Sequence, residues 1–228
     1  MDKLIPGRKT FKLTQEKGEI IFNSRTLDWT AKVVCLGCNT TWMSAIENEH
    51  AKPVMTPLIL GETGIKINQS QADSLARFAF KTAVVVDYIS RDRQPFFSRF
   101  VRHGFKESHA IPASTGMWLS AFAFMGQGNV KSVYHEGSFP AKHRFQVYAL
   151  TYCVGHLVFQ VVSLRNPPPS PFRPRNQDAF KHLAVGFWPW IPSGIEWPLS
   201  DVLKSVAEFD NFADRWGSIV LEPVPRRH

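Results

Sequence analysis

The sequence predicts an α+β protein, with helices and an antiparallel sheet in separate stretches of the chain. Three observations carry this. A helix-period apolar pattern runs from about Ser70 to Tyr88. A series of strand-like segments fills residues 117 to 164, and a second helical pattern runs from about Ser200 to Trp216. Segregated runs of this kind point to α+β architecture rather than to alternating βα units.

Residues 1 to 34 read as short strands and turns. GEIIF, ending at Phe22, and LDWTAKVV, ending at Val34, hold the branched and aromatic residues typical of strands. The second sets Leu27, Trp29 and Ala31 against Asp28, Thr30 and Lys32. CLGC follows as a turn. NTTWMSAIENEH then reads as a short helix with Trp42, Met43 and Ile46 on one side, stopped at Pro53. TPLIL, residues 56 to 60, is strand-like within a connector. In the helix that follows, Ser70 and Asp73 fit a capping box with Asp in the place of Glu or Gln. Leu75, Phe78, Ala79, Thr82, Val85, Val86 and Ile89 share its core face. A more basic helix is expected from about Pro95 to His103.

MWLSAFAF, KSVYHEG, HRFQVYALTYC and HLVFQVVSL read as successive strands, with a hairpin turn at Val154-Gly155 between the last two. NPPPSPFRPRN, residues 166 to 176, is too rich in proline for a helix or a central strand. The final helix presents Leu203, Val206, Phe209, Phe212, Ala213 and Trp216. The chain thus divides into a strand–C-x-x-C–helix element, residues 1–53, and an α+β region, residues 54–228.

Composition narrows the classes. The 228 residues are 44% hydrophobic and 20% charged, which excludes a wholly disordered chain. Three cysteines are too few for a disulfide scaffold. No apolar run reaches the roughly 18 to 20 residues of a membrane span, and MDKLIPGRKTFKL lacks the apolar stretch of a signal peptide. The expectation is a soluble, cytoplasmic protein with no membrane partner. Lys and Arg number 27 against 19 Asp and Glu, a formal net charge of +8. That excess admits an anionic partner, DNA or RNA included, without naming one. The chain has no G-x-S-x-G elbow, no P-loop and no H-E-x-x-H.

The most informative stretch is KVVCLGCNTTWMSAIE, Lys32 to Glu47. A C-x-x-C turn lets both sulfurs, Cys35 and Cys38, reach one metal ion. A structural Zn²⁺ takes about four ligands, and this turn supplies two. No second C-x-x-C follows, Cys153 lies in a strand far along the chain, and His50 on the adjacent helix is a candidate third ligand. Two other readings stand beside the metal one: two thiols packed at a turn, or a redox dithiol.

The same stretch resembles the second half of an HNH endonuclease motif, the ββα-metal fold. It is similar to a bacterial HNH group with the pattern C-x-x-C-N-x-x-W-M, an acidic residue, K-P, then an apolar helix with K-T-A. The matching residues are Cys35, Cys38, Asn39, Trp42, Met43, Glu47, Lys52, Pro53, Lys81, Thr82 and Ala83. FWPWIPSGIEWP and FADRW, Phe212 to Trp216, also resemble that group, so the likeness spans most of the chain from about residue 30.

The resemblance implies a nucleic-acid-binding protein related to metal-dependent phosphodiesterases. Cys35 and Cys38 would hold a structural Zn²⁺, Asn39 would mark the active-site helix, and Mg²⁺ or another divalent cation would serve catalysis. The chain departs from the pattern upstream. The first cysteine is Cys35 and the first histidine is His50, so the earlier C-x-x-C and the general-base histidine are not found. Loss of a base costs about 10²- to 10⁴-fold. The pattern reads as catalytically incomplete, with a missing N-terminal segment or a second chain needed to complete the metal site. The alternative is a non-catalytic interaction protein in which the C-x-x-C turn is only structural.

Two further segments have two readings each. RDRQPFFSRFVRHGFK interleaves Arg91, Arg93, Arg99, Arg102 and Lys106 with Phe96, Phe97, Phe100 and Phe105. It is either a basic face for phosphates or an amphipathic element with core Phe and solvated Arg. The cluster of Trp188, Pro189, Trp190, Pro192, Trp197 and Pro198 is either a stacking platform for bases or an irregular strip closing a sheet edge.

Overall fold

The computed structural model describes residues 11–14, 20–24, 34–89, 94–123, 128–139, 143–167, 172–174, 182–189, 194–215 and 221–223. The expected strand LDWTAKVV up to residue 33, residues 168–171 and 175–176 of the Pro-rich segment, and Trp190, Pro192 and Trp216 lie outside them. The fold is α+β, as the segregated pattern predicts.

Its frame is a seven-stranded sheet. The strands are β1 (Phe11–Thr14), β2 (Ile20–Ser24), β4 (Thr115–Ala121), β5 (Gly128–Phe139), β6 (His143–Val154), β7 (Leu157–Arg165) and β9 (Ala184–Trp188). Their order is β2-β1-β5-β6-β7-β4-β9. The β1–β5 pair is parallel and the others are antiparallel. The four strand segments expected between residues 117 and 164 are β4 to β7. The Trp188-Pro189 segment closes the sheet edge through β9, as the second reading of that cluster has it. Short strands β3 (Ile65–Ile67) and β10 (Ile195–Trp197) pair apart from this sheet, as do β8 (Phe172–Pro174) and β11 (Leu221–Pro223).

Alternation on β6 assigns the two faces. Tyr148, Leu150 and Tyr152 join the main core with the helices, while Phe145, Val147 and Ala149 join a smaller cluster with Val133 and Val162. The helices on the first face are α3 (Lys52–Leu60) and α4 (Gln69–Ile89), both touching β7. On the other face, α6 (Val206–Asp214) packs Phe209 and Phe212 against Phe122, Cys153 and Val158. A polar network fixes α6 there. Lys131 Nζ donates to Asp214 Oδ2 at 2.6 Å, Gln160 Nε2 to the Phe212 carbonyl at 3.1 Å, and Arg215 Nε to Gln160 Oε1 at 2.7 Å.

Local expectations are corrected at several points. CLGC is not a separate turn: Cys35 caps α1 (Leu36–Thr40), and the other three residues form its first turn. A kink at Thr41, φ −105° and ψ −106°, separates α1 from α2 (Trp42–Ala45). A π-helical segment, Ile46–Ala51, then runs straight into α3. Pro53 does not stop this run. It occupies the first turn of α3, where a missing N–H costs nothing, and the wide turn before it is closed by Lys52 N–H on the Glu47 carbonyl. TPLIL is therefore helix and not strand. Met55, Leu58 and Ile59 fall at helical spacing and bury one side of α3, a period that five residues alone do not reveal. Residue 53 lies inside this helical run, and Ile46 and Ala51 share one core with Met55 and Leu58.

The capping box of α4 is Asn68 with Gln71, not Ser70 with Asp73. Gln71 N–H donates to Asn68 Oδ1 at 3.0 Å, and Asn68 N–H to Gln71 Oε1 at 2.9 Å. Two side chains one helical turn apart satisfy two free donors reciprocally. The basic helix α5 is Arg99–Ser108, starting after Phe96 and Phe97, because Ser98 Oγ caps it by accepting the Val101 N–H at 3.3 Å. The final helix begins at Val206, since Leu203 is tied to Ala121 and Ala123 by backbone hydrogen bonds.

The β6–β7 turn is Gly155-His156, one residue later than expected, and it is seated on the end of α3. Gly155 has φ 59°, and a Cβ there would lie 2.3 Å from the Ile59 carbonyl oxygen. His156 N–H donates to that carbonyl at 3.1 Å, and its Nδ1 to the Phe122 carbonyl at 2.7 Å. We expect Gly155→Ala to cost about 2 kcal/mol or more, from left-handed strain plus the backbone clash. Urea unfolding measures this. A loss under about 1 kcal/mol would mean that the turn can leave α3 without consequence.

Candidate functional site

The site is built where the α1–α2 element meets α4 and α5. Cys35 is exposed and Cys38 half-buried. Cys35 has extended backbone, φ −69° and ψ 154°, so its side chain folds back over the first turn of α1. The Cys38 N–H donates to Cys35 Sγ at 3.2 Å. Hydrogen bonding from the Cys38 side chain, then from its backbone, pulls the Cys35 thiol below its ordinary range, and the nearby Lys106 ammonium adds to this. Cys153 is the opposite case. Burial on the sheet pushes its thiol up to about 12, and Sγ–H points at the Gly155 carbonyl.

The next helix, α2, gathers residues far apart in the sequence. Trp42 meets the edge of Phe105 at 5.8 Å and lies 6.1 Å from the His109 ring. His109 is held below the usual histidine range by desolvation, with the charges of Arg77 and His50 adding. Lys106 of α5 is thus the basic group within electrostatic range of the Cys35 thiol, while Arg77 of α4 and His50 of the π segment act on His109, the residue after α5.

Asn39 is exposed on α1, and its backbone N–H bonds the Cys35 carbonyl at 3.0 Å. Among the described residues, no group of three or more His, Cys, Asp or Glu side chains is placed to hold a metal ion. The described residues thus offer a Zn²⁺ the two thiols alone, and His50 is not grouped with them. They likewise form no carboxylate or histidine set for Mg²⁺.

The basic segment splits in a way neither reading anticipates in full. Arg91 and Arg93 lie outside the described residues. Phe96, Phe97 and Phe105 are buried, as the amphipathic reading has it, but Phe100 is 87% exposed. Arg102 is half-buried, donates to the Phe97 carbonyl and lies 4.9 Å over the Tyr88 ring. Arg99, His103 and Lys106 are exposed, and their spacing of four and three residues aligns them along one face of α5.

Two buried charges support this corner, and the sequence does not mark either as buried. Lys81 of α4 pairs with Glu47 of the π segment. No acid stands four residues away along α4 to suggest an exposed lysine pair, which is a retrospective hint. Burial holds the Lys81 ammonium below the usual lysine range, with Glu47 opposing that shift. Asp87 accepts the Phe96 N–H at 3.0 Å and the Phe97 N–H at 2.9 Å, anchoring the approach to α5.

Comparison of the chain with protein-family models, with characterised proteins and with solved structures returns no match.

Two measurements test the corner. Iodoacetamide labelling of the native protein, mapped by peptide mass, should modify Cys35 first and leave Cys153 intact. Its pH midpoint should lie below the ~8.5 of a free thiol and rise in Lys106→Gln. Equal rates at Cys35 and Cys153 would contradict the geometry. The second concerns Lys81. A lysine whose folded pKa is depressed binds fewer protons folded than unfolded. Its contribution to stability therefore rises as pH climbs from the folded value to the ordinary one. Glu47→Gln should cost about 2 kcal/mol at neutral pH, less than a fully buried pair because Glu47 is half-exposed. The deficit should shrink at alkaline pH and largely vanish in Glu47→Gln/Lys81→Met. A pH-independent deficit would contradict this account.

Proposed function

We propose that this protein binds nucleic acid along the outer face of α5, as an HNH-endonuclease-like chain whose catalytic half is incomplete. The observation that carries the reading is the stripe of Arg99, His103 and Lys106 with Phe100 standing 87% exposed beside it. A large apolar ring on a basic helix face has no packing role. Cations along a backbone with an adjacent stacking ring are what single-stranded nucleic acid uses. The charge of +8 favours encounter with a polyanion. The resemblance of Cys35, Cys38, Asn39, Trp42 and Met43 to the HNH group points to the same ligand class.

The test is fluorescence anisotropy with a labelled single-stranded oligonucleotide across a salt series. The two cations Arg99 and Lys106 predict a log–log salt slope of about −1.4. Arg99→Gln/Lys106→Gln should flatten the slope, and Phe100→Ala should weaken binding by about 1 to 3 kcal/mol. Absence of binding at low salt would sink the proposal. It would favour the interaction-protein reading, in which Phe100 and the 78%-exposed Leu36 are contact residues for another protein.

A further inference from the structure

The Cys35–Cys38 pair has features that a merely packed turn does not need. Both thiols sit on one turn of chain, with one exposed and the other half-buried. The first sulfur is folded back over the backbone of the second residue, 3.2 Å from its N–H. Cys35 owes this to its extended conformation, because a helical residue would send its side chain along the helix face instead. A disulfide needs Cα atoms about 4.4 to 6.8 Å apart, and residues three apart at a helix start meet that. One basic group, the exposed Lys106 of α5, lies within electrostatic range of the Cys35 thiol.

We propose that Cys35 and Cys38 form a thiol–disulfide exchange site for an anionic low-molecular-weight disulfide. The Cys35 thiolate attacks one sulfur of the small disulfide. That S–S bond breaks, and the departing thiolate leaves with the electron pair. Cys35 then carries a mixed disulfide. Cys38 gives up its proton and attacks the Cys35 sulfur, expelling the second small thiolate. The net change is protein dithiol plus RSSR to protein disulfide plus two RSH, with two electrons and two protons passing to the small molecule. Lys106 holds the anionic substituents of the disulfide and acts as a positioning residue. Cys35 attacks first because it is the exposed sulfur, and Cys38 resolves because it lies beneath. This inference does not depend on nucleic-acid binding.

The experiment uses the full chain with oxidised glutathione as the probe, followed by intact-mass and peptide mass spectrometry. The wild type should lose two hydrogen masses and yield a Cys35–Cys38 cross-linked peptide, reversed by excess reduced glutathione. Cys38→Ser should stop at the first step, carrying one glutathionyl group on Cys35. Cys35→Ser should react at least about tenfold more slowly, since access governs the rate. Lys106→Gln should slow the first step several-fold with glutathione disulfide, but not with an uncharged disulfide such as oxidised 2-mercaptoethanol. Circular dichroism confirms that each variant is folded. A persistent mixed disulfide on the wild type with no cross-link would overturn the proposal. So would first attack by Cys38, or a stoichiometric metal ion on the purified protein that blocks exchange.

Discussion

Two charged side chains inside α4 decide where its neighbours lie. Lys81 and Asp87 are both buried on a helix otherwise wrapped in Leu75, Phe78, Phe80, Ala83 and Val86. An unpaired buried charge is far more costly than a paired one, so each must draw in a partner. Lys81 draws Glu47 and with it the π segment, while Asp87 gathers the amides of Phe96 and Phe97 and with them the start of α5. The α1–α2 element and α5 are thereby brought to the same corner, which is why Cys35 lies near Lys106.

The sheet supplies the rigid support for that corner. Its antiparallel strands β5, β6, β7 and β4 bury Tyr148, Leu150, Tyr152 and Phe159 under α4, and Phe78 and Phe80 extend the ring network toward Phe97 and Phe105. Ring pairs of this kind add specific geometry to burial. The opposite face is held by the Lys131, Gln160 and Arg215 network to α6. The candidate residues lie away from the sheet, on short helices whose exposed side chains the core positions without covering.

The π segment fits this arrangement. A widened turn places Glu47 toward Lys81 while His50 stays exposed. It also delivers two prolines, Pro53 and Pro57, into a helix that tolerates them. Such single wide turns often sit at functional positions, and here one links the dithiol turn to the core.

Much was legible from residue order alone, because local periodicity is set locally. The helix of residues 69–89, the strands β4 to β7 and the amphipathic character of Phe96, Phe97 and Phe105 all follow from spacing of apolar side chains. The C-x-x-C spacing likewise places Cys35 and Cys38 on one turn of chain. What the chain order could not show is whatever depends on a partner far away. TPLIL is helix because α3 lies on the β6–β7 turn and buries Leu58 and Ile59. Lys81 is interior because Glu47 reaches it, and Lys106 comes within electrostatic range of Cys35 because Asp87 anchors Phe96 and Phe97 just ahead of α5. Phe100 looked like its buried neighbours and is exposed only because α5 turns its other side inward. Burial and charge pairing are properties of the folded neighbourhood, so tertiary structure alone assigns them.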